Sequence, residues 1–137
     1  MSRDLTKLSS FMQEKAHEYL AKCHEQGLDI VIICTDRSDA EQAACYVSGA
    51  SMCGPGQSAH NAKVKQADGT FLPAAEAFDV GVIRNGKYIG NGQDPDYLKA
   101  GIIAESIGLI WAGRWTGELQ ETAHNQNPSW VKPLKGV

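Results

Sequence analysis

"AFDVGVIRNGKYIG", residues 77–90, sets two apolar runs on either side of Asn85-Gly86. Asn-Gly between apolar runs is the strongest short-range hairpin signal, because a type I′ turn needs positive φ at both central positions. An antiparallel pair is therefore predicted in mid-chain. Asp79 lies within its first strand, an acid between Phe78 and Val80. Working toward the N-terminus, "LDIVIICT" (28–35) is short, continuous and β-branched, and reads as a buried strand. Before it, Leu5, Leu8, Met12, Ala16, Tyr19 and Cys23 recur at three and four, predicting an amphipathic helix from Asp4 to about Gln26 with Gly27 as its stop. "SDAEQAACYVSG" (38–49) carries Ser38 and Glu41 at capping-box spacing and predicts a second helix ended by Gly49. "ASMCGPGQS" (50–58) is a loop by composition, and the polar insert "AKVKQADGTFLPAAE" (62–76) is expected to loop out over the surface.

Toward the C-terminus, Asp94 as N-cap and Pro95 at the first helical position open a third helix that closes near Gly108. A short apolar piece, "LIWAGRW" (109–115), follows, and then a tail, "NQNPSWVKPLKGV" (125–137), with little pattern. The order α-β-α-loop-β-β-α-β predicts an α+β fold with a small, mostly antiparallel sheet flanked by helices, as one domain over 1–137.

With 42% apolar and 21% charged residues, the composition is that of an ordinary globular chain. A net charge of −3 with no basic run excludes an ordinary nucleic-acid binder. The longest apolar run, "LDIVIIC", is too short to span a bilayer, and the polar "MSRDLTKLSS" does not read as a signal peptide, so synthesis in the cytoplasm is expected. Cys23, Cys34, Cys45 and Cys53 form no CxxC pattern and read as buried free thiols. A Cys45–Cys53 bridge stays open for a protein working outside the cytoplasm.

His17 and His24 fall on the first helix beside Lys and Glu and read as surface residues. His60 and His124 sit in irregular segments beside small polar or acidic neighbours. Hydrolytic zinc sites use three ligands drawn from His, Asp, Glu or Cys and keep a fourth position for water, with a general base beside it. His60, Asp79 and His124 would supply such a set from three segments. Glu121, three residues before His124, would share its centre on one turn of irregular or helical backbone, whereas an ideal strand would set the two on opposite faces.

Five stretches in order, "TDRSDAEQAACYVSG" (35–49), "SAH" (58–60), "AFDV" (77–80), "WAGRW" (111–115) and "ETAH" (121–124), resemble the M15 metallopeptidases. These are the D-Ala-D-Ala carboxypeptidases and L-alanyl-D-glutamate endopeptidases, and the likeness runs from about Ile30 to His124. It implies a Hedgehog/DD-peptidase-like domain in which His60, Asp79 and His124 hold Zn2+ and Glu121 is the general base. Arg37 would bind a substrate carboxylate or stabilise the oxyanion, against the plainer reading of a surface arginine beside a helix cap. Trp111 and Trp115 would wall the cleft or fill the core. Ser58 and Gln42 would support the site or pack a helix. Two departures stand out. Family members place the first His and the Asp only a few residues apart, whereas here the interval is nineteen. Glu121 also stands where many endopeptidase relatives carry Asp.

The resemblance implies a peptidase acting on peptidoglycan stem peptides, as an L-alanyl-D-glutamate endopeptidase or, alternatively, a D-Ala-D-Ala carboxypeptidase. Small size and the absence of an export signal look like a bacteriophage or prophage endolysin. Such an enzyme would be a monomer made in the host cytoplasm, released with a holin, and active on the wall in the periplasm. A non-catalytic zinc-holding wall-binding module and a structural phage component are the rivals from other classes.

Overall fold

Two caps in tandem divide the N-terminal apolar period. Asp4 accepts from the backbone N–H of Thr6 and closes a 3-10 turn, Leu5–Lys7. Ser9 Oγ accepts from Met12 N–H and starts α1, Ser10–Glu25. Each cap satisfies an N–H that the first turn leaves unpaired, so the helix begins later than the period predicted. The computed structural model describes residues 2–133; residue 1 and residues 134–137, the ends of the expected single domain and of its tail, lie outside them.

The remaining local signals gave the expected elements. β1 is Asp29–Cys34, and α2, Asp39–Val47, opens with the Ser38/Glu41 capping box. β4, Ala77–Arg84, turns through Asn85 and Gly86, at φ 53° and 75°, into β5, Lys87–Ile89. These are the positive φ angles of a type I′ turn. α3, Pro95–Ser106, starts from Asp94 with Pro95 in its first turn.

Three elements differ from expectation. The insert is not an open loop: β2, Lys63–Lys65, and β3, Phe71–Pro73, pair as an exposed antiparallel hairpin. Its turn is built by Asp68, which accepts from Thr70 N–H, and by Gly69 at φ 87°. The piece "LIWAGRW" gives only a two-residue β6, Ile110–Trp111, before a 3-10 turn. The tail, read as patternless, supplies Asn125 and Gln126 to β7, His124–Gln126.

The main sheet has the order β1-β4-β7-β6, and β5 pairs with β4 beyond β7 along the same edge. Its paired strands are all antiparallel. Because strand side chains alternate, Phe78 and Val80 of β4 enter the core against Met12, Ala16 and Tyr19 of α1 and Ile103 and Ala104 of α3. The Tyr19 and Phe78 rings meet at 5.3 Å in a tilted pair. The molecule is thus an α+β fold whose sheet has one face under helices, and Asp79 belongs to the other face. All four cysteines are free; Cys23 and Cys34 are buried, whereas Cys45 and Cys53 are only half-buried. His17 and His24 are exposed, as expected. Among the described residues, no helix is long and apolar enough to cross a membrane.

Candidate functional site

Strand register assembles most of the site. Asp79 is paired with Cys34 of β1 on one side and with His124 of β7 on the other. Directly opposed residues project from the same face, so the three form one row across the sheet. A register shift between Ile32 and Cys34 sets Cys34 opposite Asp79, the effect of a β-bulge. His60 reaches the row from a 3-10 turn, Ala59–Asn61. That turn has its own capping box: Ser58 Oγ accepts from His60 N–H, and Asn61 Oδ1 accepts from Ser58 N–H. It is tied to the end of β1 by Arg37 N–H donating to His60 O at 2.9 Å and by Asn61 Nδ2 donating to Arg37 O at 2.8 Å.

The two histidines are oriented in matching ways. His60 Nδ1 lies 2.7 Å from the carbonyl oxygen of Thr35, and His124 Nε2 lies 2.7 Å from Gln126 Oε1. Both partners can only accept, so those nitrogens carry hydrogen. The other two, His60 Nε2 and His124 Nδ1, each lie 3.0 Å from the same oxygen, Asp79 Oδ1. As neutral rings they would turn lone pairs toward a carboxylate, an unfavourable arrangement unless a proton or a cation lies between them. Such a set could hold a metal ion: imidazole nitrogens and a carboxylate face one point, and each ring is fixed by an acceptor on its far nitrogen.

Cys34, His60 and Asp79 form a group with ligand atoms all within 4.8 Å of one another, and that group could hold a metal ion. Cys34 Sγ lies 3.8 Å from His60 Nδ1, the nitrogen committed to Thr35 O. His124 Nδ1 instead faces Asp79 together with His60 Nε2. Two overlapping sets could therefore hold a cation at Asp79: Cys34 with His60, and His60 with His124, whose facing nitrogens each lie 3.0 Å from Asp79 Oδ1.

Titration follows from this packing. Burial alone would lower the His60 pKa, but the Asp79 charge and its hydrogen bond more than offset that and lift it to about 10. Burial disfavours the Asp79 carboxylate, yet His60 and the hydrogen bonds from both histidines hold it well below the usual range. Glu121 lies on the turn before β7, where His124 N–H donates to Glu121 O at 3.2 Å. Its Oε2 is 3.8 Å from His124 Nδ1, and its side chain is 40% exposed, open enough to meet a substrate. Partial enclosure raises the Glu121 pKa; His124 opposes the shift and the Asp79 charge adds to it.

Arg37 completes the charged centre. Nη2 lies 3.6 Å from Asp79 Oδ2, and Nη1 donates to Gln42 Oε1 at 2.7 Å. Gln42 is fully buried and spends its amide group on Ser51 Oγ and Cys53 O, so it acts as a fixed bracket for the guanidinium. Arg37, Ser58, His60, Asp79, Glu121 and His124 all line a cavity of about 580 Å³. Trp115 lines it too, with its ring 5.7 Å from that of His124.

Of the two readings open for Trp111, cleft wall or core, the fold places it in the core. It is buried, its Nε1 donates to Thr122 O, and a Cβ at Gly101 or Gly113 would fall inside its ring. It is a core residue seated on two glycines. Three contributors escaped the sequence reading: Cys34 as a neighbour of His60, Asn61, and Gln126. Asn61 was accessible as the fourth residue of "SAHN", a capping-box spacing. Gln126 was accessible only if His124 was known to start a strand, since i and i+2 then share a face.

No protein-family model matches the sequence, and no curated protein matches it significantly. Three solved chains match in structure. One is the crystal structure of the L-Ala D-Glu endopeptidase ChiX of Serratia marcescens, with a TM-score of 0.65 at 19% sequence identity. The superposition covers 90% of this chain and 82% of that one. At this identity the likeness establishes a shared fold.

Proposed function

We propose that the chain is a zinc-dependent peptidase that cleaves peptidoglycan stem peptides between L-alanine and D-glutamate. One observation carries the reading: two histidines with outward N–H groups locked by Thr35 O and Gln126 Oε1 aim their free nitrogens at one oxygen of Asp79, 3.0 Å from each. A shared fold with a protein named as an L-Ala D-Glu endopeptidase supports the substrate class. Action on the cell wall as a phage or prophage endolysin belongs to the same proposal.

When bound, zinc supplies Lewis-acid charge at the substrate carbonyl and makes water a usable nucleophile near neutral pH. Glu121 takes the proton from the attacking water and returns it to the leaving amine. Its raised pKa brings it nearer the working pH, where such transfers are most effective. Arg37, held by Gln42 and facing Asp79, presents permanent positive charge for the oxyanion that develops at the cleaved carbonyl. Trp115 walls the cavity on the His124 side, its ring tilted against that imidazole.

The test combines metal analysis with digestion of purified peptidoglycan by wild type and Glu121→Gln. Stoichiometric zinc is expected in both proteins when neither has met a chelator. Digestion should fall roughly 10²- to 10⁴-fold in the variant, and wild-type products should carry new L-alanine C-termini. Protein without zinc overturns the reading, undiminished digestion by Glu121→Gln removes Glu121 as the base, and release of terminal D-alanine indicates a carboxypeptidase.

A further inference from the structure

A second cavity, about 400 Å³, meets the 580 Å³ cavity at the site, and Asp79, Glu121 and His124 line both. The centre therefore stands at the junction of two arms of one groove. Apart from Asp79 and Glu121, the arms differ in charge. The smaller is lined by Gly92, Gln93, Gln120 and Thr122, with no ionised side chain. The larger carries Arg37 and Lys132 among apolar walls that include Trp115, Trp130 and Leu119. Arg37 is already engaged by Gln42 and Asp79. Lys132 forms no ion pair within the described residues and is exposed, so its ammonium is available to a ligand. Lys132 attracts a substrate carboxylate placed in the larger arm.

We propose that Lys132 binds a free carboxylate on the substrate residue occupying the larger arm, while the smaller arm receives an uncharged part of the substrate. This rests on the peptidase reading above; there, the residue concerned is the glutamate whose amine is released, read through its α-carboxylate. The groove then has a polarity, and amidation of that carboxylate removes the group that Lys132 reads.

The test is steady-state cleavage of two peptides that differ only at the glutamate α-position, free acid against carboxamide, by wild type and Lys132→Met. Wild type should show a KM about three- to fivefold lower for the acid, the range of a solvent-accessible ion pair. The preference should shrink as salt rises. In Lys132→Met the two peptides should share one KM. A third peptide, with its carboxylate moved to the other side of the scissile bond, should show no advantage in either protein. Equal KM values in wild type, or a preference that survives Lys132→Met, overturns the assignment and leaves the peptidase reading intact. Failure of wild type to cut any of the peptides overturns the peptidase reading instead.

Discussion

The two sides of the site are built differently. His60, Asp79 and His124 are mostly buried, set by strand register or a doubly capped turn, and each imidazole is held at both nitrogens. Glu121, Trp115 and Lys132 come from C-terminal turns and loops; Glu121 and Trp115 are half-buried, and Lys132 is exposed. The first group is pre-organised, so little ordering entropy would remain to be lost on binding the proposed cation. The second group can adjust to a substrate. The division predicts that disturbance behind the ligands acts on the metal, whereas disturbance at the rim acts on the peptide.

Removing an acceptor from the rigid side gives the largest expected effect. Gln126→Leu frees His124 Nε2–H in a buried position and should weaken zinc binding roughly 10- to 100-fold, read by competition with a chromogenic chelator. Gln126→Glu, which still accepts, should keep most of the affinity. Unchanged affinity in Gln126→Leu would mean that His124 is oriented by something else.

A smaller effect is expected from pH. In the metal-free protein, the folded pKa of His60, about 10, lies above its unfolded value of about 6.5. The folded state then holds that proton more tightly, and the resulting stability is complete below pH 6.5 and lost as pH rises toward 10. Thermal midpoints of chelator-treated protein should fall across that interval, and His60→Gln should flatten the dependence. Asp79, held low, acts only in acid, where falling pH removes its contribution.

The smallest effect is expected outside the site. Replacing residues 64–72 with a short turn between Lys63 and Pro73 should leave zinc content unchanged and shift the melting midpoint by less than about 4 °C, because loop length enters closure entropy only logarithmically. A large loss of zinc would show that the hairpin supports His60 directly.

What the sequence made legible was what neighbours in the chain decide. Asn85-Gly86, Ser38 with Glu41, and Asp94-Pro95 each produced the element their local chemistry predicts. The second cap at Ser9 was equally local, but the apolar period running through it masked it. β7 left no pattern because three residues are too few for alternation to register. Trp111 and Trp115 occupy one short motif, yet their fates differ because Trp111 meets Gly101 on a separate helix, a contact no local spacing announces. His60, Asp79 and His124 were readable as residue types. Their convergence depends on the pairing of β4 with β7, which sets Asp79 opposite His124, and on a separate capped turn that brings in His60.

The hairpin between the first two proposed ligands has one more consequence. Ala74 N–H donates to Ala62 O and Glu76 N–H to Ala59 O, both at 2.9 Å, so the excursion is closed at its base before Asp79 is reached. The distance from His60 to Asp79 is therefore fixed by those two clasps and the sheet, and the number of residues beyond them can drift without moving either side chain. Interval along the chain is then a poor coordinate for a centre of this kind. Rank within the sheet, one row holding Cys34, Asp79 and His124, is the quantity that loop growth leaves untouched.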